Sequence, residues 1–318
     1  MSLSTPVPST SSLALSPEPV RPGDRVGLVS PSSAVPKKRL REAVALLESW
    51  GLVPVVGDHV LDTHPRAGSY LAGEDRDRAE DLRRAWLDDS LAAVFCMRGG
   101  YGAARILDLL DPAELRTARP KLLIGSSDIT AIHEFWEHEL NVVTLFAPML
   151  GTGDLMGDPG NVAALKRALF NPIAGRVLTG PGVDPIVPGT AEGRIAGGNL
   201  SLLVMTAGAH PRDRVRADGR IVLLEDVTED PYRIDGFLLT LLRSGYFEGA
   251  RGIGLGTWVK CGPLQEIHAI AEEMLAPLGV PLLWGLPFGH GYGVDCVPLG
   301  ARGRLVAEGA SPRLDIVQ

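Results

Sequence analysis

Three stretches of this 318-residue chain carry side chains that could do chemistry together. The first, Lys121 to Trp136 (KLLIGSSDITAIHEFW), reads as a buried strand, a tight turn and a helix. Leu122, Leu123 and Ile124 form the apolar run, Gly125 permits an unusual backbone angle, and Ile129, Ile132, Phe135 and Trp136 recur at helical spacing. Ser127 falls at the turn, where its hydroxyl projects beyond the strand and the first helical N–H groups face whatever binds there. This is the logic of a nucleophile elbow. The G-x-S-x-G pattern is absent, however, and a Gly-Ser-Ser-Asp turn can also serve simply as an N-cap.

A serine hydroxyl needs a base to take its proton and a third group to orient that base. His133 and His138 lie on the helix after the turn, His210 at a turn, His268 in a helix, and His59 and His64 in a polar loop. His290 differs, standing in PFGHGYG after an apolar strand, where glycines let another backbone approach. Its alternative role is a turn histidine bonded locally. Glu225 follows Ile221-Val222-Leu223-Leu224, where an acid is costly unless it is paired or reaches water. Asp226 and Glu229 compete for the same role. Donors for an oxyanion could come from Gly99 or Gly100 of RGGYG and from the amide of Asp128. By itself, RGGYG before a helix could instead cradle a phosphate.

The elements that must position these groups follow a simple cycle. Apolar runs at VGLVS, LVPVVG, LAAVFCM, KLLIG and VVTLFAP alternate with helical spacing at Lys37 to Trp50, Glu74 to Leu87, Ala103 to Leu110 and Thr130 to Leu140. That alternation predicts an N-terminal doubly wound parallel sheet over residues 20–172, with sites at the strands' carboxyl ends. A helix at Asn161 to Phe170 precedes a Pro- and Gly-rich stretch, 173–190, expected to be a linker. Residues 191–318 are expected to form a smaller C-terminal α/β domain with a mixed sheet. Within it, Asn199 is the expected N-cap of one helix and Asp230-Pro231 the start of another. RLVAEG and RLDIVQ predict a closing hairpin.

Acidic residues, 38, exceed basic ones, 31, for a formal net charge of −7, and no basic stripe alternates with aromatics. A nucleic-acid partner is not expected. The cysteines Cys96, Cys261 and Cys296 are odd in number and widely spaced, which predicts a reduced compartment and no structural zinc. Residues 1–19 are rich in Ser and Pro without a secretory pattern and are expected to be a disordered tail. No stretch reaches the roughly 18 apolar residues of a membrane span, so a cytoplasmic protein is expected.

Six motifs in order resemble those of the LD-carboxypeptidase family of serine peptidases, which includes the microcin-immunity peptidases. They are LAGEDRDRAEDL (Leu71 to Leu82), MRGGYGAARILDLLD (Met97 to Asp111), IGSSDITAIH (Ile124 to His133), GGNLSLL (Gly197 to Leu203), LLEDVTEDPYRIDGFL (Leu223 to Leu238) and GHGYGVDCVPLGARGRL (Gly289 to Leu305). The resemblance implies a two-domain serine peptidase, free of metal and other cofactors and often a homodimer, with a Ser-Glu-His triad. Motif by motif, Ser127 falls at the nucleophile, Glu225 at the acid, His290 at the base, and Gly100 and Asp128 at the oxyanion positions. Arg98, Gly99, Tyr101, Ser126 and Asn199 are candidate substrate contacts. Ser126 departs from the pattern, since relatives commonly carry an aromatic there, and GHGYGVDC departs from the usual wording after the histidine. The implied reaction releases terminal D-alanine from cytoplasmic murein tetrapeptides during cell-wall recycling. Cleavage of peptidyl- or aminoacyl-nucleotide conjugates is the alternative within the family, and a non-catalytic phosphate or nucleotide binder the alternative outside it.

Overall fold

The strands, in chain order, are β1 (Arg25–Val29), β2 (Val53–Val56), β3 (Leu91–Cys96), β4 (Leu122–Gly125), β5 (Thr144–Phe146), β6 (Val177–Leu178), β7 (Asp184–Val187), β8 (Thr190–Asn199), β9 (Arg220–Val227), β10 (Gly252–Val259), β11 (Leu282–Trp284), β12 (Val297–Leu299), β13 (Arg302–Val306) and β14 (Arg313–Ile316). They come from a computed structural model that describes residues 13–207 and 216–318. The expected turn at His210 and residues 1–12 of the expected tail lie outside the described residues. Residues 13–19 are described, and Leu15 there bridges Val142 in parallel.

The first sheet has the order β2-β1-β3-β4-β5-β12. Its first five strands pair in parallel, as buried apolar runs separated by helices require. The order 2-1-3-4-5 reverses between β1 and β3, and a crevice at such a reversal, outside the strands' carboxyl ends, is where open α/β sheets bind ligands. β12, from near the end of the chain, closes the sheet antiparallel to β5. The second sheet is mixed, in the order β6-β14-β13-β8-β9-β10-β11-β7, with β8 to β11 parallel. The expected closing hairpin is β13–β14. The segment 173–190 contains β6 and β7, which form opposite edges of this sheet.

One apolar core passes through both halves: Phe95, Ile124 and Phe146 of the first pack with Ile195, Leu223 and Phe288 of the second. The Phe146 and Phe288 rings lie 4.6 Å apart. The shared core holds the carboxyl ends of β4 and β9 in fixed relation, which the site needs. Asn199 caps the helix Leu200–Ala207, its Oδ1 accepting from the Leu202 amide at 3.3 Å. The short helix expected over Ala103 to Leu110 forms as 3₁₀ turns at Ala103–Leu109. Among the described residues no helix is long and apolar enough to cross a membrane.

Candidate active site

β4 is buried throughout and ends at Gly125, where a Cβ would lie 2.8 Å from Ile129 Cγ2. Ser126 is extended, and Ser127 then turns to φ 58°, a left-handed conformation that a non-glycine residue adopts at a cost of about 1–3 kcal/mol. That reversal makes the elbow. Beneath it, buried His133 reaches the Gly125 carbonyl from Nε2 at 3.0 Å and Thr144 Oγ1 from Nδ1 at 2.8 Å. Burial pushes its pKa down to about 4, so it is a neutral support for the turn.

The glycine-rich loop after β3 passes close over the serine. A Cβ on Gly99 would sit 2.9 Å from Ser127 Cβ and 3.1 Å from Ser127 Oγ, so a hydrogen is what fits there. Gly100 has φ 104°, and a Cβ on it would fall 2.2 Å from Ser33 Oγ. The Asp128 side chain turns away from the cleft: its Oδ2 accepts from Ser32 Oγ at 2.5 Å and from the Ala103 amide at 2.8 Å. Burial raises its pKa against the pull of those bonds. Its amide, in the first turn after the elbow, has no intrahelical acceptor. Arg78, fully buried, binds the Gly102 carbonyl at 3.0 Å, the Pro31 carbonyl and Asp75, and so clamps the loops after β1 and β3 together.

The second half of the site hangs from β9 and the loop after β11. Glu225 is completely buried, and its Oε2 lies 2.7 Å from His290 Nδ1 while accepting the His290 amide at 3.2 Å. Burial, the largest influence, lowers the His290 pKa. The Glu225 charge and hydrogen bond, with Asp154 and Asp226 adding, overcome it and lift the value to about 9. Asn199 Nδ2 donates to Glu225 Oε1 at 3.3 Å and to Asp226 Oδ1 at 2.8 Å. Asp226 also accepts the Ser201 and Val227 amides, and burial beside Glu225 pushes it up to about 6. Glu229 pairs with Arg233. Of the three acids considered, Glu225 is the one that meets the imidazole.

Ser127 and His290 line one cleft of about 160 Å³, together with Arg98, Gly99, Gly100 and Ser126. Tyr101 and Asn199, also expected as substrate contacts, lie elsewhere. Tyr101 is 40% exposed with its ring 6.1 Å from that of Tyr70, and Asn199 is buried behind Glu225. His59 pairs with Asp62, His64 with Glu74 and His268 with Glu272, away from this cleft. Among the described residues no group of three or more His, Cys, Asp or Glu could hold a metal ion.

Several supporting residues have no signature in the sequence. Asp154 lines the cleft, and its Oδ2 accepts the Gly291 amide at 3.2 Å. Fully buried Asn161 donates to the Gly291 carbonyl at 2.8 Å and accepts the Val294 amide at 3.0 Å. Asp158 accepts the Gly293 amide at 2.8 Å, and Thr257 Oγ1 donates to the His290 carbonyl at 2.9 Å. These contacts pin the His290 loop from segments more than thirty positions away.

Residues 26–147 match the LD-carboxypeptidase N-terminal domain and residues 192–305 the LD-carboxypeptidase C-terminal domain. The chain belongs to the LD-carboxypeptidase family. A putative carboxypeptidase of Streptomyces coelicolor is 44% identical over 94% of this chain and 96% of that protein. A murein tetrapeptide carboxypeptidase of Pseudomonas aeruginosa is 32% identical over 87% of this chain and 91% of that protein. Among solved structures, a muramoyltetrapeptide carboxypeptidase from Oxalobacter formigenes superposes with a TM-score of 0.78 at 25% identity, covering 92% of this chain and 99% of that one. An MccF-like protein from Bacillus anthracis, 23% identical, shares the fold with a TM-score of 0.83 over 96% of this chain and 100% of that one. Membership of the family makes this chain a member of a group of peptide hydrolases.

Proposed function

We propose that this protein is a serine LD-carboxypeptidase that releases the terminal D-alanine of murein tetrapeptides by hydrolysing their L,D-peptide bond. The observation that carries the reading is the Glu225–His290 contact of 2.7 Å in the cleft that also holds the left-handed Ser127. His290, oriented by Glu225, takes the Ser127 proton as Oγ attacks the scissile carbonyl. The amides of Gly100 and Asp128 receive the oxyanion, and His290 then protonates the leaving amine of D-alanine. Water, activated by the same imidazole, releases the acyl group. Substrate entering the cleft displaces water around His290, and desolvation favours the neutral imidazole that this step requires. The names of the Pseudomonas aeruginosa and Oxalobacter formigenes relatives support murein peptides as the substrate class. In this reading the protein acts in the cytoplasm, in cell-wall recycling, as a homodimer without a cofactor.

The test is incubation of the purified protein with a murein tetrapeptide and, separately, with a peptidyl-nucleotide conjugate, following released D-alanine and nucleotide by mass spectrometry. D-alanine release that falls by about 10⁵-fold or more in Ser127→Ala and persists in Ser126→Ala is expected. Cleavage of the conjugate alone would replace the murein reading with the nucleotide-conjugate one.

A further inference from the structure

A carboxypeptidase must tell a free C-terminal carboxylate from the amide carbonyl of a continuing chain, and an anion leaves water only for a fixed cation or set of donors. Arg98, Asp154 and His290 are the charged residues that line the cleft. His290 is engaged by Glu225, and Asp154 holds the Gly291 amide and repels an anion on that side. Arg98 has neither duty. Its Nη1 donates to the Ala34 carbonyl at 3.0 Å, and among the described residues no carboxylate lies within 4.0 Å of the guanidinium. The contrast with Arg78 is instructive, because that neighbouring arginine is consumed by Asp75 and two carbonyls. Arg98 is therefore tethered at one nitrogen while the rest of its planar fork of donors remains uncommitted. It also directly precedes Gly99, whose backbone lies against Ser127.

We propose that Arg98 is a specificity-determining residue that binds the free α-carboxylate of the residue being released. The assignment rests on the carboxypeptidase reading above. Tethering at Ala34 lowers the conformational cost of holding the guanidinium ready, and the planar fork matches a carboxylate in two-point contact.

The experiment compares kcat/KM for a murein tetrapeptide and for the same peptide carrying a C-terminal amide, in the wild type, Arg98→Lys and Arg98→Gln. The wild type is expected to favour the acid by roughly 10- to 100-fold, the range for a hydrogen bond between charged groups. That ratio should collapse toward one in Arg98→Gln, through KM for the acid, and be partly kept in Arg98→Lys. Circular dichroism establishes that each variant is folded. A wild type that hydrolyses acid and amide alike overturns the Arg98 assignment, whatever the variants do, and leaves the murein reading standing. An acid preference unchanged in folded Arg98→Gln overturns the assignment in the same way. No turnover of either peptide by the wild type overturns the murein reading and this assignment with it.

Discussion

Ser127 is placed by its chain neighbours and one close loop, whereas His290 is placed by side chains from three separate segments. On the serine side the devices that touch Ser127 itself are steric: a left-handed turn, a glycine that clears Ile129, and Gly99 pressed against the hydroxyl. On the histidine side they are polar: Glu225 on the imidazole, Thr257 on the carbonyl, and Asp154, Asp158 and Asn161 on the loop that follows. A steric device is stiff and insensitive to pH. A polar one can be retuned by a single proton or a remote substitution.

Glu225→Gln strikes the polar side hardest and should lower kcat/KM by about 10⁴-fold, as loss of an orienting carboxylate does in related triads. The same variant should move the pH dependence. With His290 lifted to about 9, wild-type kcat/KM should climb with pH and level off near that value, and the midpoint should fall in Glu225→Gln. The stability sign follows: a histidine raised above its ordinary 6.5 contributes fully below that pH, and the contribution is lost as pH rises through about 9. Thermal melts across this window should therefore decline more in the wild type than in the variant. A pH profile identical in both proteins would remove Glu225 from this role.

Gly99→Ala tests the steric side. Its Cβ, 2.9 Å from Ser127 Cβ, must displace that serine, and a rate loss of about 10²-fold with an unchanged pH midpoint is expected. Steady-state kinetics showing unaltered kcat would mean the loop yields freely. Asn161→Ala should have the smallest catalytic effect, about tenfold or less, but a clear cost in stability. Leaving the Gly291 and Val294 backbone groups unpaired costs roughly 1–3 kcal/mol each when buried, visible as a lower Tm.

The same division explains what the sequence revealed. The elbow could be read because strand, glycine, serine and helix are contiguous, and Glu225 and His290 because each ends or follows an apolar run. The parallel order of the first sheet follows from alternating elements, but nothing local marks Val297–Leu299 as its sixth strand, paired with Thr144–Phe146 far upstream. β6 and β7 were hidden by their shortness and by the prolines and glycines around them. Asn199 satisfied the capping rule, yet its amide also serves Glu225 and Asp226, a partnership created when β8 aligns with β9. Asp154 and Asn161 look like ordinary polar residues of a helical segment until the His290 loop folds onto them.

The late return of β12 to the first sheet has a bearing on biogenesis. As the chain emerges from the ribosome, β5 has an open edge of unpaired N–H and C=O groups until residues 297–299 arrive. The N-terminal half therefore cannot finish folding ahead of the rest, and closing so long a loop slows the final step. A prematurely terminated product would carry Ser127 without the strand that seals its sheet, exposing a template for strand pairing between molecules. Completion of the site, which needs His290, and protection of the β5 edge by β12 thus arrive together.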